Sequence, residues 1–186
     1  MKDISLHLLD IIENSAKAGA ARVQIDFERA GTRFEMWVRD NGPGLPPSVS
    51  GNPDDPFVTT RADRKVGLGL AMLRRAAERT GGRMDVDSAP GRGVTVHAAF
   101  DLGHIDAQPI GAIDEALAAA ISSWPGLDFE VRIGPERRVV FDSRAVKKEL
   151  NGIDFSNPQV HKFLSFSLRE ELAPLGLAAG PLPDVS

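Results

Sequence analysis

The chain has no cysteine. That excludes disulfide bonds, cysteine-ligated zinc and a cysteine-held iron–sulfur cluster from its own chemistry. It has no excess of positive charge: 22 lysines and arginines stand against 26 aspartates and glutamates, for a net charge of -4. Such a balance argues against a nucleic-acid-binding surface. It has no apolar run approaching the ~18 residues that a membrane span requires. The opening Met1-Lys2-Asp3-Ile4 leads straight into a helical pattern, without the basic, apolar and small-residue regions of a signal peptide. Internal repeats and long low-complexity tracts are absent as well. The expectation is a cytoplasmic protein with neither a membrane nor a nucleic acid as partner.

What is present is enough for a core. Of 186 residues, 42% are hydrophobic, near the globular norm and suited to one domain or one domain plus a small appendage. Residues 3–18 form a helical pattern with Asp3 as cap and Gly19 as stop, and Ile4, Leu8, Ile11 and Ile12 fall on one face. Asp10 and Asn14, four positions apart, project from a neighbouring face toward one point. Glu13 and Lys17 have the same spacing and read as an exposed helix pair. His7 shares the stripe of Asp10 and Asn14, so it is expected either to orient the Asp10 carboxylate or to stand partly exposed.

Val23, Ile25 and Phe27 alternate as a first strand, Ala30-Gly31-Thr32 turns the chain, and Phe34, Met36 and Val38 make the buried side of a second strand. At its end stands Asp40-Asn41-Gly42-Pro43-Gly44-Leu45. A carboxylate followed so closely by Gly42 and Gly44 suits a turn where backbone approaches a ligand, since glycine permits left-handed conformations. Residues 46–66 are rich in proline, glycine and polar side chains and lack periodicity. Val66-Gly67-Leu68-Gly69-Leu70 opens a second helix running to about Thr80, stopped by Gly81-Gly82. Met84 and Val86, then Val94, Val96, Ala98 and Phe100, form two further strands joined by a hairpin containing Gly91 and Gly93.

Four boxes in this order, on Glu13-Asn14-Ser15, Asp40 to Leu45, Gly67 to Leu70 and Gly91 to Val96, resemble the GHKL superfamily of gyrase B, the ninety-kilodalton heat-shock chaperones, sensor histidine kinases and MutL. The likeness covers roughly residues 1–101. It implies ATP as ligand with Mg²⁺, Asn14 giving an oxygen to the metal, and Asp10 in the catalytic position that orients the hydrolytic water. That position usually holds glutamate, so Asp10 is one methylene short and efficient hydrolysis is in doubt. The resemblance makes Asp40 the acceptor for the adenine amine, with Gly42 and Gly44 beside it and Thr95 serving Asp40 or an ordered water. It places a lid on residues 46–66, with Phe57 as anchor, and Thr60, Arg61, Arg64 and Lys65 where phosphates lie. Lys65 stands where histidine kinases carry a further glycine. Gly67, Leu68 and Gly69 would turn their amides to the phosphates, favoured by the positive end of the helix.

The expected fold is therefore an α+β two-layer sandwich, with residues 1–102 as the ATP-binding domain, 103–111 as linker, 112–177 as a small α+β extension and 178–186 as a disordered tail. Within the extension, 112–123 is helical, Leu127–Ile133 and Arg138–Phe141 form a hairpin, Ser143 caps a basic helix ending at Asn151-Gly152, and Asn157 caps a longer one. Phe163, Leu164 and Leu168 share a face of that helix, and His161 reads as a surface residue because no second histidine stands at metal-ligand spacing. So small a unit is marginal alone, so it should pack on the ATP-binding domain or a partner. Three function classes follow: a regulatory module or slow ATPase controlling a partner protein, with a hydrogenase-type redox enzyme as one candidate; a protein kinase acting on a partner; and a DNA-acting ATPase. The acidic charge and short extension put the last behind the others, and His7 lies too close to Asn14 for a phosphoacceptor hairpin.

Overall fold

A computed structural model describes residues 3–45, 68–149 and 154–178. The expectations for Phe57, Thr60, Arg61, Arg64, Lys65 and Gly67, for Asn151-Gly152 and for the tail beyond residue 178 lie outside the described residues.

The chain begins with α1 (Ile4–Lys17). The Asp3 carboxylate accepts the Leu6 N–H at 3.0 Å, and Gly19 at φ +86° releases the chain from the helix. β1 (Arg22–Ala30) and β2 (Arg33–Asp40) follow as a hairpin, then α2 (Leu68–Glu78), β3 (Arg83–Ser88) and β4 (Val94–Asp101). The second half supplies α3 (Ile113–Ser123), β5 (Asp128–Ile133), β6 (Arg138–Asp142), α4 (Ser143–Glu149) and α5 (Pro158–Leu172), ending in a 3-10 turn at Ala173–Leu175.

All six strands belong to one sheet in the order β3-β4-β2-β1-β5-β6. β5 lies parallel to β1, with Val131 opposite Ile25, while every other neighbouring pair is antiparallel. The period-2 alternation of the strands sends Val23, Ile25, Phe27, Phe34, Met36, Val38, Val96, Ala98 and Val131 into one core with Leu8, Leu73, Leu117 and Leu168 of the helices. The fold is thus a two-layer α+β sandwich on a mixed sheet. The break expected at Leu102 is not a break in the sheet, because β5 adds directly to β1 and α3 packs on α1. Residues 103–111 are also tied down: the carbonyls of Pro109 and Ile110 accept the N–H groups of Ile4 and Ser5, two of the donors a helix N-terminus leaves open.

Two local expectations change. The cap of α4 is Asp142, whose Oδ1 accepts the Arg144 N–H at 2.9 Å, while the Ser143 hydroxyl accepts the Phe129 N–H at 2.9 Å and ties the helix to β5. On α5 the buried stripe is Leu164, Leu168 and Leu172, with Phe163 60% exposed. Asn157 caps that helix as expected, accepting from Gln159 N–H at 2.8 Å.

Candidate functional site

Two carboxylates and the elements around them define the site. Asp40 ends β2, and its oxygens collect donors from three parts of the chain. Oδ1 accepts the Gly42 N–H at 2.8 Å and the Val94 N–H at 3.2 Å, and Oδ2 accepts the Ser15 hydroxyl at 2.8 Å. A carboxylate offers about four acceptor positions, so three neutral donors leave room for one more on a half-buried group. Asn41 turns the other way: its Oδ1 accepts the N–H groups of Ala21 and Arg22, at 2.9 and 2.8 Å, pinning the loop to the start of β1.

The loop is closely nested in the β3–β4 turn, and glycine makes the approach possible. At Gly93 (φ +79°) an added Cβ would collide with the Asp40 carbonyl, and at Gly44 (φ +76°) with the Ala89 carbonyl. At Gly42 a Cβ would stand 3.1 Å from Asp40 Oδ1.

Asp10 lies one turn before Asn14 on α1, and the Asn14 Nδ2 donates to Asp10 Oδ2 at 3.3 Å. That orientation commits the amide nitrogen and leaves the Asn14 amide oxygen for another partner. Burial pushes the Asp10 carboxyl above its ordinary value, while the Asn14 hydrogen bond and the Lys17 charge pull the other way. On its other side the carboxylate rests against Gly69 in the first turn of α2, where any Cβ would overlap Oδ2. Gly69 is therefore fixed by Asp10 as well as by its place near a helix start. Leu68 begins α2.

The structure brings Asp10 and Asn14 of α1 together with Gly69 of α2, and sets the Asp40 loop with Gly42 and Gly44 against Ser15, the next residue of the same helix. Thr95 is different. It pairs with Arg39 across β2–β4, and Arg39 reaches Asp26 on the sheet face away from the helices. The group of β4 that reaches Asp40 is the Val94 N–H, not the Thr95 hydroxyl. His7 also departs from expectation: it is 1% exposed and its Nε2 pairs with Gln108 Oε1 at 3.2 Å, not with Asp10.

Sequence reasoning missed Ser15 and Ser88. Ser15 had a signal, because a serine following Ile4, Leu8, Ile11 and Ile12 on a buried helix stripe must find a partner there. Ser88 had none: it is the last residue of an edge strand before a Pro-Gly turn. Among the described residues no group of three or more metal-type side chains gathers, and no helix is long and apolar enough to cross a membrane.

Comparison with known proteins gives this geometry a family. The chain is 31% identical to the nitrogen regulation protein NtrY of Azorhizobium caulinodans over 123 residues, which covers 61% of this chain and 16% of that protein. It is 35% identical over 102 residues to the sensory histidine kinase/phosphatase NtrB of Rhizobium meliloti, covering 45% of this chain and 26% of that one. The chain thus spans about a quarter or less of these relatives. Among solved structures, the Aquifex aeolicus MutL ATPase domain complexed with ADP aligns with a TM-score of 0.53 at 13% identity, over 89% of this chain and 69% of the other. The N-terminal domain of a DNA repair protein aligns with a TM-score of 0.53 at 16% identity, over 76% of this chain and 53% of the other; both likenesses speak to fold alone. The model for the histidine kinase-, DNA gyrase B- and HSP90-like ATPases matches residues 2–104, more than half of the chain, and the chain belongs to that family.

Proposed function

We infer that this ATP-binding domain takes Mg-ATP at the adjoining ends of α1, β2 and α2, and serves as a regulatory module or slow ATPase that controls a partner protein. The observation that supports it best is the state of Asp40: oriented by three neutral donors, with one acceptor position left for the amine of adenine. A guanine would offer a carbonyl oxygen there, setting acceptor against acceptor. The residues present also fit a magnesium ion held mainly by the nucleotide's phosphates. Asn14 would contribute its amide oxygen, because its nitrogen is committed to Asp10, and oxygen is the donor this metal favours.

Metal-bound ATP presents an electrophilic γ-phosphorus to a nucleophile. Asp10 is the carboxylate hydrogen-bonded to Asn14, and it would hold a water or a partner's hydroxyl by accepting its proton. Burial and contact with Gly69 restrict the reach of so short a side chain, which supports slow turnover of the isolated protein. The similarity to NtrB favours a second reading of the same site, phosphoryl transfer to a partner in trans. Cytoplasmic placement and a redox-enzyme partner belong with this proposal.

Calorimetry with Mg-ATP and Mg-GTP tests the core of it. Wild type should prefer ATP, and Asp40→Ala should lose about 1–3 kcal/mol of ATP affinity, as for a lost hydrogen bond to a charged group. Unchanged ATP affinity in that variant would remove Asp40 from the site.

A further inference from the structure

The β3–β4 hairpin grips the Asp40 loop at three successive points running antiparallel to it. The Val94 N–H reaches Asp40 Oδ1 at 3.2 Å, the Gly91 N–H reaches the Pro43 carbonyl at 2.7 Å, and the Ser88 hydroxyl accepts the Leu45 N–H at 2.8 Å. The same hydroxyl donates its proton to the Gly93 carbonyl at 3.0 Å. Ser88 and Val94 face each other across the β3–β4 ladder. One small side chain thus joins the outgoing end of the loop to the residue whose backbone packs on Asp40 itself.

We propose that Ser88 is a positioning residue for nucleotide recognition: its hydroxyl locks the 40–45 loop into the hairpin and thereby fixes where the Asp40 carboxylate meets the base. This rests on the reading of the site as an adenine-nucleotide site. Each half of the bridge matters. Without the hydroxyl, the Leu45 N–H and the Gly93 carbonyl both lose their partner, and the loop keeps only the contacts at its first four residues. Backbone groups deprived of a partner move toward water when they can. Leu45 is the end of the loop free to do so, since Asn41 pins the opposite end to Ala21 and Arg22. Movement there tilts the carboxylate relative to Ser15 and Val94, and the loss falls on the base-dependent part of binding, not on the part contributed by phosphates and metal.

The test compares Mg-ATP with Mg-ITP, whose base carries a carbonyl in place of the amine, on the full chain by calorimetry well below the melting temperature. Ser88→Ala is expected to reduce the ATP-over-ITP preference about three- to tenfold, the scale of one lost hydrogen bond, while ITP affinity stays near wild type. Ser88→Thr keeps the hydroxyl and should restore the preference. A folded Ser88→Ala that keeps the wild-type ratio, whatever its melting temperature, overturns the proposal, because a purely structural brace would lower stability and leave discrimination alone. Should Ser88→Ala not fold, Ser88→Cys carries the same comparison, and an unchanged ratio there is equally decisive against it. Wild type that binds no ATP, or shows no preference over ITP, overturns the parent reading and this inference with it; wild type that discriminates beside variants that do so equally overturns this inference alone.

Discussion

The two halves of the chain carry different kinds of information, yet they build one sheet. Residues up to Asp101 contain every glycine and carboxylate that the candidate site uses, and their strands are joined antiparallel, β1 to β2 and β3 to β4 through local hairpins. The described residues after 112 hold none of the site, but they supply the strand parallel to β1 and the helix α3 that packs on α1. α1 is where the halves meet. It presents Asp10, Asn14 and Ser15 to the site, and its first turn is capped by the 109–110 carbonyls. The second half is therefore the back wall of the helix that carries the candidate site residues Asp10 and Asn14.

Cutting the chain after Leu102 sharpens that contrast most. The cut uncovers the β1 edge and the side of α1 facing Ile113, Leu117 and Ile121, each of which is 1% exposed or less. Burial of such a side chain is worth about 1.5–3 kcal/mol, so a few of them match the ~5–15 kcal/mol that holds a whole domain. The shortened chain is expected to lose its cooperative thermal transition by circular dichroism. A sharp transition within a few degrees of the full chain would show the halves to be independent.

The next test strikes the seam on the outer sheet face. Asp26 of β1 is 2% exposed although it points away from the helices. Arg39 from the first half donates to it, and Arg132 from the second donates to both its oxygens, at 2.6 and 3.0 Å, with Arg137 at 3.3 Å. Burial alone would push the Asp26 carboxyl up, but the hydrogen bonds from Arg132 and Arg39 outweigh it and hold it below its ordinary value. Asp26→Ala should cost about 3 kcal/mol, the lower end for breaking a buried ion pair, because the arginines can still reach solvent. Chemical denaturation measures it, and a loss under ~0.5 kcal/mol would make the cluster an ordinary surface array. The depressed pKa also sets a sign: the stability from this carboxylate is complete above its unfolded value near 3.9 and is lost as pH falls through the folded one.

How far the sequence revealed this structure follows from range. Asp3 as cap, Gly19 as stop, Asn157 as cap and the alternations of β1, β2 and β4 are local signals, and each element formed where its signal stood. Asp10, Asn14, Asp40 and Gly69 were legible as a set because the boxes occur in order. Contacts between distant segments left no such trace. Nothing in Asp128–Ile133 says that it will lie parallel to β1, and the alternation that locates Thr95 on a strand does not say which face it will take. The register with Arg39 decided that. Phe163 misled for a related reason: at 3.6 residues per turn Leu164, Leu168 and Leu172 make a complete stripe, and Phe163 falls on its flank.

The smallest effect expected lies at the hinge between the halves, in His7. Its helical spacing to Asp10 suggested a partner on the site side, but the side chain turns to Gln108 in the connection that caps α1. There the ring is almost wholly buried, and its Nδ1 has no hydrogen-bond partner. Burial lowers the pKa below the ordinary 6.5, against the Gln108 hydrogen bond and the Asp3 charge, which raise it, and alongside the chain's amino-terminal charge, which lowers it. Protonation would put a charge and an unpaired N–H into the space between α1 and residues 103–111, so the folded protein resists a proton that the unfolded chain accepts. Stability from this site is therefore complete above about pH 6.5 and declines as pH falls from there toward the folded-state pKa. Melting temperatures between pH 7.5 and 5.5 should fall in wild type and fall less in His7→Gln, which cannot titrate. Carboxylates with depressed values, Asp26 among them, lose their contribution only at more acidic pH, and Asp10, whose raised value acts with the opposite sign, is common to both proteins, so the difference between them isolates the histidine. Equal pH dependence in the two proteins would mean that the connection yields to the charged ring, and that the halves meet at α1 more loosely than the hydrogen bonds from Ile4 and Ser5 to Pro109 and Ile110 imply.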